Sequence, residues 1–169
     1  MDKRAGKFLI IGVGNLLLKD EGVGIHVARE LQKRVLPSWV EVIDGGVVGI
    51  GLLEFLQKAS KVVLIDAAEM DLNPGAVIRF TPEEVKTKVE NLRFSVHHFD
   101  LLQIVELAKA LGQCLAQVVI LGIQPKEIRW EIGLTPEVQA VVPKVMEVAW
   151  KEMDHFFASD QLGDHEHEP

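Results

Sequence analysis

Three side chains that can bind a metal ion follow or precede separate ordered segments of the sequence: Glu21, Asp66 and His97. Two carboxylates and one imidazole suit a borderline divalent ion such as nickel or zinc better than magnesium or calcium. Each residue also has a structural explanation. Glu21 suits the first turn of a helix, where the helix dipole favours an acid, Asp66 suits a helix cap, and His97 suits a capping or buried position. The spacing leaves both interpretations open.

The elements that must position these residues alternate between apolar runs, typical of buried parallel strands, and helical patterns. The predicted strands cover residues 8–14, 40–43, 61–67, 76–81 and 117–123, and the predicted helices include 99–111 and a last one from Thr135-Pro136 to about Phe157. This order predicts an α/β fold, a three-layer α/β/α sandwich with a mostly parallel, twisted, roughly five-stranded sheet. The short connection from 67 to 76 predicts that one strand is antiparallel to the strand before it. Ligands of such folds bind at the carboxyl ends of the strands.

Length and charge restrict the domain organisation and the partners. The 169 residues predict one domain, 1–157, followed by an acidic and disordered tail, 158–169. Six acids and no Lys or Arg lie from Glu152 onwards, so the body of the chain is nearly neutral. A nearly neutral body predicts binding to neither nucleic acid nor membrane. The absence of a signal-peptide pattern and of disulfide-forming cysteine pairs predicts a cytoplasmic protein.

Several common chemistries lack their sequence patterns. The dinucleotide fingerprint fails because Leu17 stands where its third glycine belongs, and no phosphate-binding loop is present. No serine lies in a nucleophile elbow, and Cys114 has no neighbouring His or Lys, which favours a buried structural cysteine. A small anionic ligand at the turn Gly12–Gly14 stays as one hypothesis.

Six motifs, in order, resemble those of the nickel–iron hydrogenase maturation endopeptidases, which trim the C-terminal extension of the hydrogenase large-subunit precursor. The motifs are GVGNLLLKDEGVG (12–24), DGG (44–46), LIDA (64–67), SVHHFDL (95–101), GIQPKEI (122–128) and IGLTPEV (132–138). The resemblance covers residues 8–151, nearly the whole chain, and it implies that this is a peptidase domain.

The resemblance implies that Glu21, Asp66 and His97 bind nickel, with His98 as the alternative ligand to His97. It implies that Asp44, Gly45 and Gly46 recognise substrate, although these residues would equally suit a plain glycine turn. It also implies that the nickel comes with the precursor, and no organic cofactor is expected. No catalytic nucleophile is assigned, so the metal site is the best candidate for the catalytic centre. The alternative function is a non-catalytic nickel-binding checkpoint or chaperone for hydrogenase assembly.

Overall fold

The computed structural model describes residues 7–47, 49, 51–88, 93–94, 98–112 and 116–163. Its centre is a twisted sheet with the strand order β2-β1-β3-β6-β4. The strands are β1 (Lys7–Val13), β2 (Val40–Gly46), β3 (Ala59–Glu69), β4 (Val77–Phe80), β5 (Arg93–Phe94) and β6 (Gln117–Ile123). Strands β1, β2, β3 and β6 are parallel, and β4 is antiparallel to β6. The short β5 pairs with the end of β3. The predicted fold class is confirmed.

Helices cover both faces of the sheet, as the alternating pattern predicts. They are α1 (Val23–Gln32), α2 (Leu52–Lys58), α3 (Pro82–Lys88), α4 (His98–Ala110) and α5 (Pro136–Gly163). Alternate residues of β3 enter separate cores: Ile65 packs with α1 and α5, whereas Leu64 packs with α2 and α4. Both side chains are fully buried, and each such burial stabilises the fold by roughly 1.5–3 kcal/mol.

The antiparallel strand has a different partner from the one that the sequence predicts. The short connection suggested that β4 pairs with β3, but β6 lies between them. The connection from β3 to β4 must therefore cross β6. Gln124, directly after β6, binds this connection. Its side-chain Oε1 accepts hydrogen bonds from the N–H groups of Met70 (2.7 Å) and Leu72 (3.3 Å), and its carbonyl accepts one from Gly75 (2.8 Å). A seven-residue connection held in this way reaches across one strand.

Element ends also differ from the predictions. Strand β2 continues through Asp44 to Gly46, where a glycine turn was expected, and β3 extends by two residues at each end. Helix α5 continues to Gly163 instead of ending near Phe157, so residues 158–163 are helical. Among the described helices, none combines the length and apolar character needed to cross a membrane.

Candidate functional site

Close backbone packing positions Glu21 at the carboxyl edge of the sheet. Glu21 lies in a short 3-10 helix, Lys19–Gly22, between β1 and α1, and only 3% of it is exposed. Gly14 has a φ of +143°, and a Cβ there would lie 1.9 Å from the carbonyl oxygen of Glu21. A Cβ on Gly24 would lie 2.1 Å from the carbonyl oxygen of Ile65. These two glycines therefore allow the turn that carries Glu21 to approach the end of β3.

Asp66 lies in β3 directly after Ile65 and is 2% exposed. Its Oδ1 accepts a hydrogen bond from the N–H of Ala67 at 2.7 Å. Because strand side chains alternate, Asp66 lies on the face of Leu64, the face that α2 and α4 cover. Asp66 is thus part of a strand rather than a helix cap.

The structure brings Glu21 and Asp66 to one place in the topology. The chain leaves β1 through α1 to β2, which lies on one side of β1. It leaves β3 towards β4, which lies in the opposite direction along the sheet. The connections that leave β1 and β3 therefore diverge, and open α/β sheets bind their ligands at such a divergence. Two buried carboxylates at this edge are costly unless hydrogen bonds or a cation offset the burial. The donor chemistry of this edge fits a divalent ion.

His97, the third predicted ligand, lies outside the described residues, as does Cys114. The nearest described neighbours of His97 in the sequence are Phe94 and His98. Phe94 pairs with Ala68, two residues after Asp66, and His98 is the first residue of α4. Within the described part of the chain, no three His, Cys, Asp or Glu side chains form a group that could hold a metal ion.

Asp20 has a role that the sequence reasoning missed. It is fully buried, and its two carboxylate oxygens accept hydrogen bonds from the N–H groups of Lys126 (2.9 Å), Glu127 (3.0 Å) and Thr135 (2.7 Å). The Thr135 hydroxyl also donates to it, at 2.8 Å. Burial by itself raises the pKa of Asp20, but these hydrogen bonds outweigh burial and hold the pKa below its ordinary value. Asp20 therefore fixes the segment before α5 to the turn that carries Glu21.

The predicted substrate-recognition residues lie at the carboxyl end of β2. Asp44 forms an ion pair with Arg29, with 2.9 Å between Asp44 Oδ2 and each of Nε and Nη2 of Arg29. The N–H of Gly46 donates to Asp44 Oδ1 at 3.3 Å, and Gly46 has a φ of +53°. Asp44 is exposed, Gly45 and Gly46 are half-buried, and all three lie at the same edge of the sheet as Glu21. Arg29 thus holds the Asp44 carboxylate at the site's rim.

The turn at Gly12–Gly14 is poorly suited to an anion. The N–H of Gly14 donates to the carbonyl of Gly46 at 3.0 Å, and the N–H of Asn15 donates to the carbonyl of Glu21 at 3.3 Å. Phosphate-binding turns instead direct their N–H groups at the ligand. The neighbouring carboxylates of Asp20 and Glu21 would also repel an anion. The geometry disfavours the hypothesis of a small anionic ligand.

The fold and this edge define a doubly wound α/β protein with two buried acidic residues at its topological switch point. A family model described as hydrogenase maturation protease, HycI, matches residues 25–152. The hydrogenase 2 maturation protease of Escherichia coli K12 is 32% identical over 143 residues, which cover 83% of this chain and 87% of that protein.

Two solved structures of hydrogenase maturation proteases are similar to this fold. The hydrogenase maturating endopeptidase HybD of Escherichia coli has a TM-score of 0.80 and 29% identity, covering 88% of this chain and 93% of its own. The [NiFe] hydrogenase maturation protease HybD of Thermococcus kodakarensis has a TM-score of 0.72 and 30% identity, covering 86% and 97%. The chain belongs to the hydrogenase maturation protease family. It is therefore a peptidase of hydrogenase maturation, which favours an enzyme over a non-catalytic checkpoint.

Proposed function

We propose that the chain is an endopeptidase that removes the C-terminal extension of a nickel–iron hydrogenase large-subunit precursor after nickel has been inserted. In this proposal Glu21, Asp66 and His97 bind the nickel of the precursor, and no organic cofactor takes part. The observation that carries the proposal is that two buried acidic residues, Glu21 and Asp66, lie at the switch point of the sheet.

The position of His97 along the chain supports its role as the third ligand. It is three residues from Phe94, which pairs with β3 at Ala68. His98 stays the alternative ligand. An imidazole added to two carboxylates completes a donor set that nickel or zinc accepts.

Binding of substrate-borne nickel would make cleavage conditional on metal insertion. A precursor without nickel would lack the ion that the two carboxylates bind, so this contact would be lost. A divalent ion can polarise a carbonyl group or lower the pKa of a bound water, and either effect would favour hydrolysis of a nearby peptide bond. The same residues would thus check the precursor and assist its cleavage.

Asp44, Gly45 and Gly46 would contact the precursor beside the metal. Their strand is at the edge of the sheet, and the ion pair with Arg29 keeps the Asp44 carboxylate in a defined position. Glycines leave the backbone accessible to an approaching peptide.

Intact-mass spectrometry of a nickel-loaded large-subunit precursor tests the proposal. Incubation with the wild-type protein should shorten the precursor by its C-terminal extension, and incubation with Glu21→Gln should leave it at full length. A precursor that keeps its full mass with the folded wild-type protein would overturn the proposal.

A further inference from the structure

Four large apolar side chains are exposed on one side of the candidate site, and we call them the apolar patch. They are Trp130 (78% exposed), Ile132 (76%), Leu17 (51%) and Ile128 (47%). A contiguous group of exposed large apolar residues marks an interaction surface more often than scattered single ones do. Tryptophan in particular is enriched among the residues that dominate binding energy.

Backbone hydrogen bonds hold the apolar patch together. The N–H of Glu131 donates to the carbonyl of Leu17 at 3.0 Å, and the N–H of Lys19 donates to the carbonyl of Glu131 at 2.8 Å. These bonds bring Leu17 beside Trp130 and Ile132, the two neighbours of Glu131. The Asp20 carboxylate binds the N–H groups at the start of the same segment. The surface is therefore preorganised, which lowers the entropic cost of binding a partner.

The charges around the apolar patch are neutralised within the chain. Glu131 Oε1 lies 2.5 Å from Lys19 Nζ, and Glu131 Oε2 lies 2.6 Å from Nη2 of Arg129. Arg129 also pairs with Glu127 at 3.0 Å, and Lys126 pairs with Glu137 at 2.5 Å. A partner that approaches this surface meets apolar groups inside a charge-balanced rim. Its complementary surface is therefore apolar and uncharged.

The apolar patch is continuous with the candidate metal site. Lys19, Asp20 and Glu21 are consecutive, and the first two contact the segment that carries Trp130. We propose that the apolar patch docks an apolar segment of the hydrogenase large-subunit precursor while Glu21 and its partners hold the nickel. This inference rests on the proposed function. It gives the peptidase a second contact that selects its protein substrate, independent of metal.

Biolayer interferometry with a nickel-loaded large-subunit precursor from the same genome tests the docking surface. Trp130→Ser and Ile132→Ser should each raise the Kd about tenfold, a typical loss for a central interface residue. In cleavage assays the same variants should raise KM by a similar factor and change kcat less than twofold. Val35→Ser removes an apolar side chain that is 95% exposed elsewhere, so it should leave Kd and KM unchanged. Circular dichroism should show native folding of all three variants.

Two results would overturn the docking proposal. One is a Kd and KM of Trp130→Ser and Ile132→Ser equal to those of the wild type. The other is a wild-type dimer in light scattering that Trp130→Ser converts to monomer without a change in Kd, since the patch would then bind a second copy of the chain. A wild-type protein that binds the precursor through the patch but never cleaves it would contradict the proposed function and leave the docking surface in place.

Discussion

The two ends of β3 carry buried charged side chains in opposite arrangements. Near its start, Lys61 Nζ lies 2.7 Å from Glu152 Oε2, and Arg79 binds the same carboxylate. Near its end, Asp66 shares the edge of the sheet with Glu21. The first group joins one carboxylate to two cations from within the chain, whereas the second gathers two carboxylates. Both groups are buried, so burial alone does not distinguish a structural cluster from a candidate metal site.

Substitutions at the two ends of β3 should therefore affect different properties of the protein. The group at the start of β3 connects β3, β4 and α5, so we expect it to contribute to stability. The pair at the end of the strand should contribute to cleavage and little to stability. Protein sites that bind ligands are often less stable than a substituted version without the function.

The largest expected effect is on cleavage by Glu21→Gln and Asp66→Asn. Each substitution removes a negative charge from the site and keeps the side-chain size. We expect kcat/KM for a nickel-loaded precursor to fall by at least about a hundredfold, because loss of even a supporting contact to a metal ligand costs 10–100-fold. Thermal unfolding should show a Tm equal to or above that of the wild type. A variant that cleaves at the wild-type rate would remove its residue from the site.

Substitutions of the two adjacent histidines should change cleavage as strongly and identify which of them is the third ligand. His97→Ala should abolish cleavage, whereas His98→Ala should keep substantial activity, because the side chains of adjacent residues generally point in different directions. Mass spectrometry of the precursor measures both. The opposite result would assign the ligand to His98, the first residue of α4.

At the other end of β3, Glu152→Gln should mainly lower stability. Burial raises the pKa of Glu152, but hydrogen bonds from Arg79 and Lys61 outweigh it and hold the pKa below its ordinary value. Removal of this charge leaves Lys61 buried beside a neutral group, and breaking a buried ion pair costs about 3–5 kcal/mol. Urea denaturation measures the loss, and kcat/KM at 25 °C should stay within about twofold of the wild type.

The matched control for this substitution is Glu54→Gln, which alters the exposed pair between Glu54 and Lys58 on α2. Exposed pairs contribute little, so its unfolding midpoint should equal that of the wild type. Equal midpoints for Glu152→Gln and the wild type would show that the cluster at the start of β3 is not structural.

A smaller effect is expected for Asp20→Asn, because its hydrogen bonds lie next to the site without being part of it. Loss of hydrogen bonds to a buried charged acceptor should cost about 1.5–3 kcal/mol at pH 7. Since the pKa of Asp20 is lowered by folding, its contribution is present at neutral pH and disappears as the pH falls below about 4. Urea denaturation at pH 7 and pH 3 should show the variant closer to the wild type at pH 3. An equal difference at both values would contradict this role.

The sequence predicted where the strands lie in the chain better than it predicted which strands are adjacent in the sheet. Strand β6 occupies residues 117–123 as predicted, because a run of buried β-branched residues is a local signal. The position of β6 between β3 and β4 is accompanied by hydrogen bonds from the β3–β4 connection to Gln124, about fifty residues away, and no local pattern shows them. Helix α5 passed its predicted end because no proline or glycine follows Phe157 until Gly163.

In the candidate site, too, contacts between residues that are distant in the sequence could not be predicted. Motif resemblance distinguished Glu21 from its neighbour Asp20, although both are buried acids of the same short helix. The structural role of Asp20 depends on Thr135 and Lys126, more than a hundred residues away. A sequence pattern can therefore select residues for a role, but only the fold shows which neighbouring acid the chain itself uses.

The central claim is that the carboxylates at the end of β3 bind the nickel of the precursor. The most direct test compares the cleavage rates of nickel-loaded and nickel-free precursor by the wild-type protein, with a strong chelator present to remove free metal. We expect the nickel-loaded precursor to lose its C-terminal extension and the nickel-free precursor to stay at full length. Equal cleavage of both in the presence of chelator would contradict the account.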